Sequence, residues 1–232
     1  LLFFVGLAHK KGKNKDLEHF KNINKETLVN LVSMLDKEEV LPEKIIFAST
    51  ISIYGETLKQ NTYSETYAPR PISPYAKTKF DAEKYLIDNY SSRSWILRLA
   101  PVYSKNFKLN LRVRSQVRGR FYRVGDGKIK LSLCHIQNIL HVVSNIIEDK
   151  VPLGIYNISD KYEYTYNDIL LYFKAKKLIV VPKFFIKIVY YLGVLTKHIS
   201  LKERSIKLIT DNIFPSTKIQ KYLILSKNLF KE

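Results

Sequence analysis

Tyr75 and Lys79 stand four residues apart in Ser73-Pro74-Tyr75-Ala76-Lys77-Thr78-Lys79, a separation that puts both side chains on one face of a helix. A free phenol titrates near ~10 and is protonated at neutral pH, whereas a cation held close stabilises the phenolate and lowers that value. Such a pair can trade a proton with a substrate hydroxyl. A further hydroxyl lies upstream, where the run Lys44-Ile45-Ile46-Phe47-Ala48 ends in Ser49-Thr50. Thr50 is expected to donate a hydrogen bond to the same substrate oxygen that Tyr75 protonates or deprotonates.

Two kinds of element must position these groups. The run 44–48 is short, apolar and β-branched, the pattern of a strand buried on both faces of a parallel sheet. Ligands of open α/β sheets bind at the carboxyl ends of such strands. Strand patterns over 2–7, 44–48, 95–99 and 154–158, with helical patterns over 16–37 and 74–89 between the first three, predict a parallel sheet with crossover helices. Farther along, helices are expected over 110–120, 136–149, 165–174, 183–195 and 216–223, a strand over 128–133, and a turn at Gly125-Asp126-Gly127.

These segments resemble the extended short-chain dehydrogenase/reductase superfamily, in its NAD-dependent epimerase/dehydratase branch acting on nucleotide-sugars. Leu2-Phe3-Phe4-Val5-Gly6-Leu7-Ala8-His9 is similar to the family strand whose Leu-Ala end lies against the dinucleotide, which implies Leu7 and Ala8 as cofactor contacts. Asn24-Lys25-Glu26-Thr27-Leu28-Val29-Asn30-Leu31 is similar to the family's Asn-Val-x-Gly-Thr-x-Asn-Leu helix and adds Asn24, although Thr27 and Leu28 replace Gly-Thr. The strand ending at Thr50 continues, as in the family, into a Val-Tyr-Gly-like Ile53-Tyr54-Gly55. Ile96-Leu97-Arg98-Leu99-Ala100-Pro101-Val102-Tyr103 resembles Leu-Arg-x-x-x-Val-Tyr-Gly-Pro, where the backbone passes the nicotinamide, and implies Ala100 and Val102; Ser104-Lys105 replaces Gly-Pro. Leu131–Ile139 resembles the substrate segment Ser-x-x-His-Val-x-Asn-Leu, Pro215-Ser216-Thr217-Lys218 resembles the late Asp-x-Ser-Lys element, and the nucleotide-binding segment aligns on Asn110, Leu111 and Arg112.

The resemblance implies an α/β, Rossmann-like doubly wound parallel sheet with a small carboxyl-terminal substrate-binding lobe. Residues 1–105 would carry the partial NAD(P)-binding domain and the catalytic motif, and 106–232 the interwoven substrate region and last sheet elements. It implies NAD or NADP as cofactor, a nucleotide-sugar as substrate, and room for a homodimer; no metal is called for. Thr50 would align the substrate oxygen, Tyr75 act as acid/base, and Lys79 hold the nicotinamide ribose, with Tyr75 and Lys79 both counted among the cofactor contacts. A dehydratase would add an acidic pair after the catalytic hydroxyl, whereas Ile51-Ser52 follows Thr50, so a UDP-glucose 4-epimerase-like epimerase or a reductase ranks first.

One family element is missing from the sequence. The phosphate loop Gly-x-x-Gly-x-x-Gly lets backbone amides approach a pyrophosphate, and the eight glycines here include no such triplet. The chain opens on Leu1-Leu2-Phe3-Phe4, already in a strand pattern, so the expectation is an amino-terminally truncated domain. The alternative to an enzyme is then a non-catalytic remnant or fragment unable to bind dinucleotide alone.

The net charge of +18 attracts polyanions nonspecifically, but the lysines are dispersed and no nucleic-acid module signature occurs. Arg112, Arg114, Arg118, Arg120 and Arg123 instead suit a diphosphate. The single cysteine, Cys134, excludes an internal disulfide and reads as a small buried residue. With no secretory signal, the cytoplasm is the expected compartment. The most apolar stretch, 184–195, is too short to span a bilayer and reads as a core helix of the carboxyl-terminal lobe in preference to a peripheral membrane contact.

Overall fold

A computed structural model describes residues 1–7 and 16–231. Four parallel strands carry the fold: β1 (Leu2–Phe3), β2 (Ile45–Thr50), β3 (Ser94–Leu99) and, by chain order the ninth strand, β9 (Gly154–Ile158), in the spatial order β1-β2-β3-β9. β1 is shorter than the expected 2–7, and Ala8 lies outside the described residues. Between β1 and β2 the chain forms α1 (Leu17–Lys21), a π-helical turn (Asn22–Glu26) and α2 (Thr27–Lys37); between β2 and β3 it forms α3 (Pro74–Tyr90).

The alternation of side chains along each strand divides two cores between the sheet faces. Ile45 and Phe47 of β2 and Ile96 of β3 pack with Leu28 and Val32 of α2 and Ala82 and Leu86 of α3. Ile46, Trp95, Leu97 and Tyr156 face the other way, onto α5 (Ile136–Ile147) and the chain's last segment through Ile219, Leu223 and Leu225. This is the doubly wound, Rossmann-like arrangement expected. Cys134 sits in that second core, wholly buried, and burial pushes its thiol up, so it is an apolar filler.

The remaining elements build the lobe beyond the sheet. β4 (Val102–Tyr103) pairs with β8 (Cys134–His135), and β7 (Lys130–Leu131) with β10 (Tyr164–Thr165). α4 (Leu109–Ser115) is shorter than the helix expected over 110–120. The rest of that stretch is a hairpin of β5 (Gln116–Val117) and β6 (Arg120–Val124), turned by Arg118 and Gly119, both at positive φ. β11 (Ile179–Val181) lies parallel to β6. α6 (Tyr166–Tyr172) starts on a capping box of Thr165 and Asp168. The helix expected over 216–223 is a single 3₁₀ turn, Ile219–Lys221.

α7 (Lys183–Leu195) has the predicted bounds and the wrong surroundings: Tyr190 and Gly193 are buried against α8 (Ile199–Ile206), while Phe184, Phe185, Ile188, Tyr191, Leu192 and Leu195 are exposed. The reading of this stretch as a core helix is therefore corrected. Periodicity could not reveal it, because a helix that is apolar on all sides looks buried whatever covers it.

Candidate active site

Ser73 is the N-cap of α3, its hydroxyl accepting from Ala76 N, and Pro74 occupies the first turn, where its missing N–H costs nothing. Thr78 back-bonds to the carbonyls of Pro74 and Tyr75 at 2.9 and 3.1 Å and so fixes the turn that carries Tyr75. Thr50 ends β2 at the sheet's carboxyl edge, its Oγ1 accepting from Ser52 N at 3.2 Å. The Thr50 side chain lies close enough to the Tyr75 phenol to pull its pKa down against burial. The two hydroxyls predicted to share a substrate oxygen are thus brought together by a strand end and a helix start.

Lys79 lies one turn farther along α3 and is 3% exposed. Its ammonium rests over the Phe47 ring, 4.0 Å from the centroid. Burial holds its pKa down to about 7, with the Glu83 carboxylate pulling the other way. The expected effect on Tyr75 is reversed: burial raises the phenol above its ordinary value, and only the Thr50 side chain lowers it. Sequence spacing shows which groups meet and cannot show how much water they lose.

Asn24, in the π-helical turn, is fully buried with both amide atoms in use: Oδ1 accepts from Leu7 N at 2.7 Å and Nδ2 donates to Thr78 Oγ1 at 3.1 Å. It ties the segment leaving β1 to the start of α3. Ala100 N donates to Ile158 O at 2.9 Å, and Val102 O accepts from Asn110 Nδ2 at 2.8 Å, so Asn110 braces the backbone beside β3. Leu111 is buried in the lobe's own core, and Arg112 is exposed. Arg114, two residues on, lines a small cavity with Glu56, Tyr166 and Lys207, where Lys207 and Glu56 are ion-paired at 2.8 Å.

Sequence reasoning missed a buried network behind Lys79. Glu83 accepts a hydrogen bond from Ser49 and pairs with Arg98 at 2.8 Å; Arg98 Nη1 donates to the Tyr54 hydroxyl at 3.0 Å, which donates to Asn157 Oδ1 at 2.7 Å. Three strand ends and α3 are joined by these bonds. A signal for Glu83 was present, since Tyr75, Lys79 and Glu83 form one i, i+4, i+8 row.

The NAD dependent epimerase/dehydratase family model matches residues 2–159. The chain belongs to this family. Among solved structures, the UDP-Glc/GlcNAc 4-epimerase of Campylobacter jejuni is similar with a TM-score of 0.71 at 18% identity, over 98% of this chain and 73% of that one. The UDP-glucuronic acid 4-epimerase of Bacillus cereus, solved in complex with NAD, gives 0.68 at 18% identity over 97% and 67%. The ADP-L-glycero-D-manno-heptose-6-epimerase of Helicobacter pylori gives 0.68 at 15% identity over the same shares. At these identities the likeness concerns the fold. No curated protein matches the sequence.

The residues present fit one end of the family's dinucleotide. Gly6 keeps a space open between Asn24 and Lys79, which a Cβ would fill at 3.3 Å from Asn24 Oδ1 and 3.8 Å from Lys79 Nζ. Among the described residues no carboxylate stands within ion-pair distance of the buried Lys79 ammonium, which suits it to ribose hydroxyls. The pyrophosphate end has no glycine-rich cradle in the sequence.

Proposed function

We propose that this chain is the catalytic portion of a nucleotide-sugar epimerase or reductase serving surface polysaccharide synthesis. Thr50 aligns the reacting hydroxyl, Tyr75 moves its proton, and Lys79 holds the nicotinamide ribose. The observation that carries the reading is the Tyr75 phenol set beside the Thr50 side chain at the sheet's carboxyl edge, with Lys79 buried one turn behind it. When bound, NAD or NADP would supply the hydride acceptor and donor. Tyr75, protonated at neutral pH, is ready to give its proton to a developing alkoxide; taking one from a hydroxyl requires the phenolate, which the Thr50 side chain favours. The position after Thr50 is the buried Ile51, which supports epimerase or reductase over dehydratase. The nucleotide-sugar class is supported by the epimerases to which the fold is similar.

Conversion of UDP- or dTDP-hexoses, followed by NMR in the presence of NAD, tests the reading. Tyr75→Phe should lower turnover by ~10²–10⁴-fold with an unchanged melting curve. A variant within about threefold of the parent would remove Tyr75 from the chemistry. The alternative reading is a non-catalytic remnant, unable to hold a dinucleotide. Calorimetric titration with NAD separates the two, because micromolar affinity excludes the remnant.

A further inference from the structure

We infer that the outer face of α7 docks on an anionic phospholipid bilayer. A helix apolar on all sides normally lies in a protein core or against lipid, yet the residues α7 presents to water include Phe184, Phe185, Ile188, Leu192 and Leu195, the last 80% exposed. The preceding strand β11 extends the apolar surface with Ile179 and Val180, at 49% and 53% exposure. Charge selects the occupant. Between Asp168 and Glu203 the chain has seven lysines and no carboxylate, and among the described residues only Lys183 of these is ion-paired, with Asp126 at 3.2 Å. Lys176 and Lys177 flank the apolar surface at one end and Lys197 at the other, all exposed.

Apolar side chains ringed by unneutralised lysines match the boundary between acyl chains and anionic headgroups. A second copy in a two-fold pair would instead set one lysine field against another. No helix among the described residues is long and apolar enough to cross a membrane. At 13 residues, α7 is roughly 20 Å long and would lie in the plane of the interface.

Co-sedimentation of the full chain with vesicles tests this. The protein should bind phosphatidylcholine vesicles containing about 30 mol% phosphatidylglycerol and bind pure phosphatidylcholine about tenfold less. Ile188→Glu with Leu192→Glu should lower the bound fraction about tenfold at an unchanged melting temperature, and Lys176→Glu with Lys177→Glu should lower it while sparing the fold. Equal binding to neutral vesicles, or undiminished binding by the first double variant, overturns the proposal. So does a parent that ignores the vesicles, or one that is a dimer made monomeric by Ile188→Glu and Leu192→Glu, since a second copy then covers the face.

Discussion

Lys79 is a cation stored where cations are costly. Its pKa of about 7, against an ordinary 10.5, means that below pH ~7 both folded and unfolded chains hold the proton and the full cost of burying the ammonium is present. Above that, the unfolded chain keeps a proton that the folded chain has released. Stability from this group therefore rises with pH between ~7 and ~10.5, by up to about 1.4 kcal/mol per pH unit. Urea melts of the parent and of Lys79→Met should show a difference that shrinks steadily from pH 7 to pH 10, with the variant more stable at the neutral end. A constant difference would mean that the ammonium is solvated. The placement of Tyr75 and Lys79 one turn apart could be read from spacing because both lie on one helix. The network through Glu83, Arg98, Tyr54 and Asn157 could not, because it joins residues from four elements whose neighbours are set by the sheet register.

At the scale of elements, Gly55 shows what the 3₁₀ turn after β2 demands. It adopts φ +62°, and a Cβ there would come 2.0 Å from the Arg70 carbonyl oxygen, so the loop returning from residue 56 needs a glycine for space as well as for conformation. Gly119 has φ +78° with open space around it. Gly119→Ala should cost about 1 kcal/mol and Gly55→Ala clearly more, above about 2 kcal/mol, because only the second also displaces backbone. Equal midpoints in urea would show that the loop yields freely. The same residues explain what the sequence disclosed about elements. α3 and α7 were legible through Pro74 and Pro182 at their starts and through unbroken helical patterns. The β5–β6 hairpin was hidden because its turn uses Arg118 at positive φ, and arginine gives no hint of that conformation. α8 escaped notice because it is short and mixed in polarity.

For the molecule as a whole, the tail belongs to the parallel sheet. Ile219, Leu223 and Leu225 are buried among Ile46, Trp95 and Leu97, more than 120 residues earlier in the chain. Each large apolar side chain removed from a core costs about 2–5 kcal/mol, and three together approach the whole ~5–15 kcal/mol that holds a domain folded. A chain ending at Phe214 should therefore lose its cooperative thermal transition in calorimetry, and not merely its lobe. A sharp transition near the parent's would show that the sheet stands alone. The sequence made the parallel sheet legible and left this closure hidden, because the helical spacing of the tail does not show that Ile219, Leu223 and Leu225 meet Ile46, Trp95 and Leu97, which happens only in three dimensions.

That core also contains the chain's single tryptophan and its single cysteine. Trp95 donates its indole N–H to Val151 O at 3.0 Å from β3, and Cys134 approaches from β8. An optical probe and a chemical probe are thus built into one packed unit, with no second copy of either to confuse the signal. Thiol-reagent labelling under native conditions times the moments when Cys134 is uncovered, while indole emission follows the water around Trp95 in denaturant. Free energies of opening that coincide would define the sheet and tail as one cooperative foldon, and a lower value for the thiol would identify the β4–β8 edge as the place where the structure first parts.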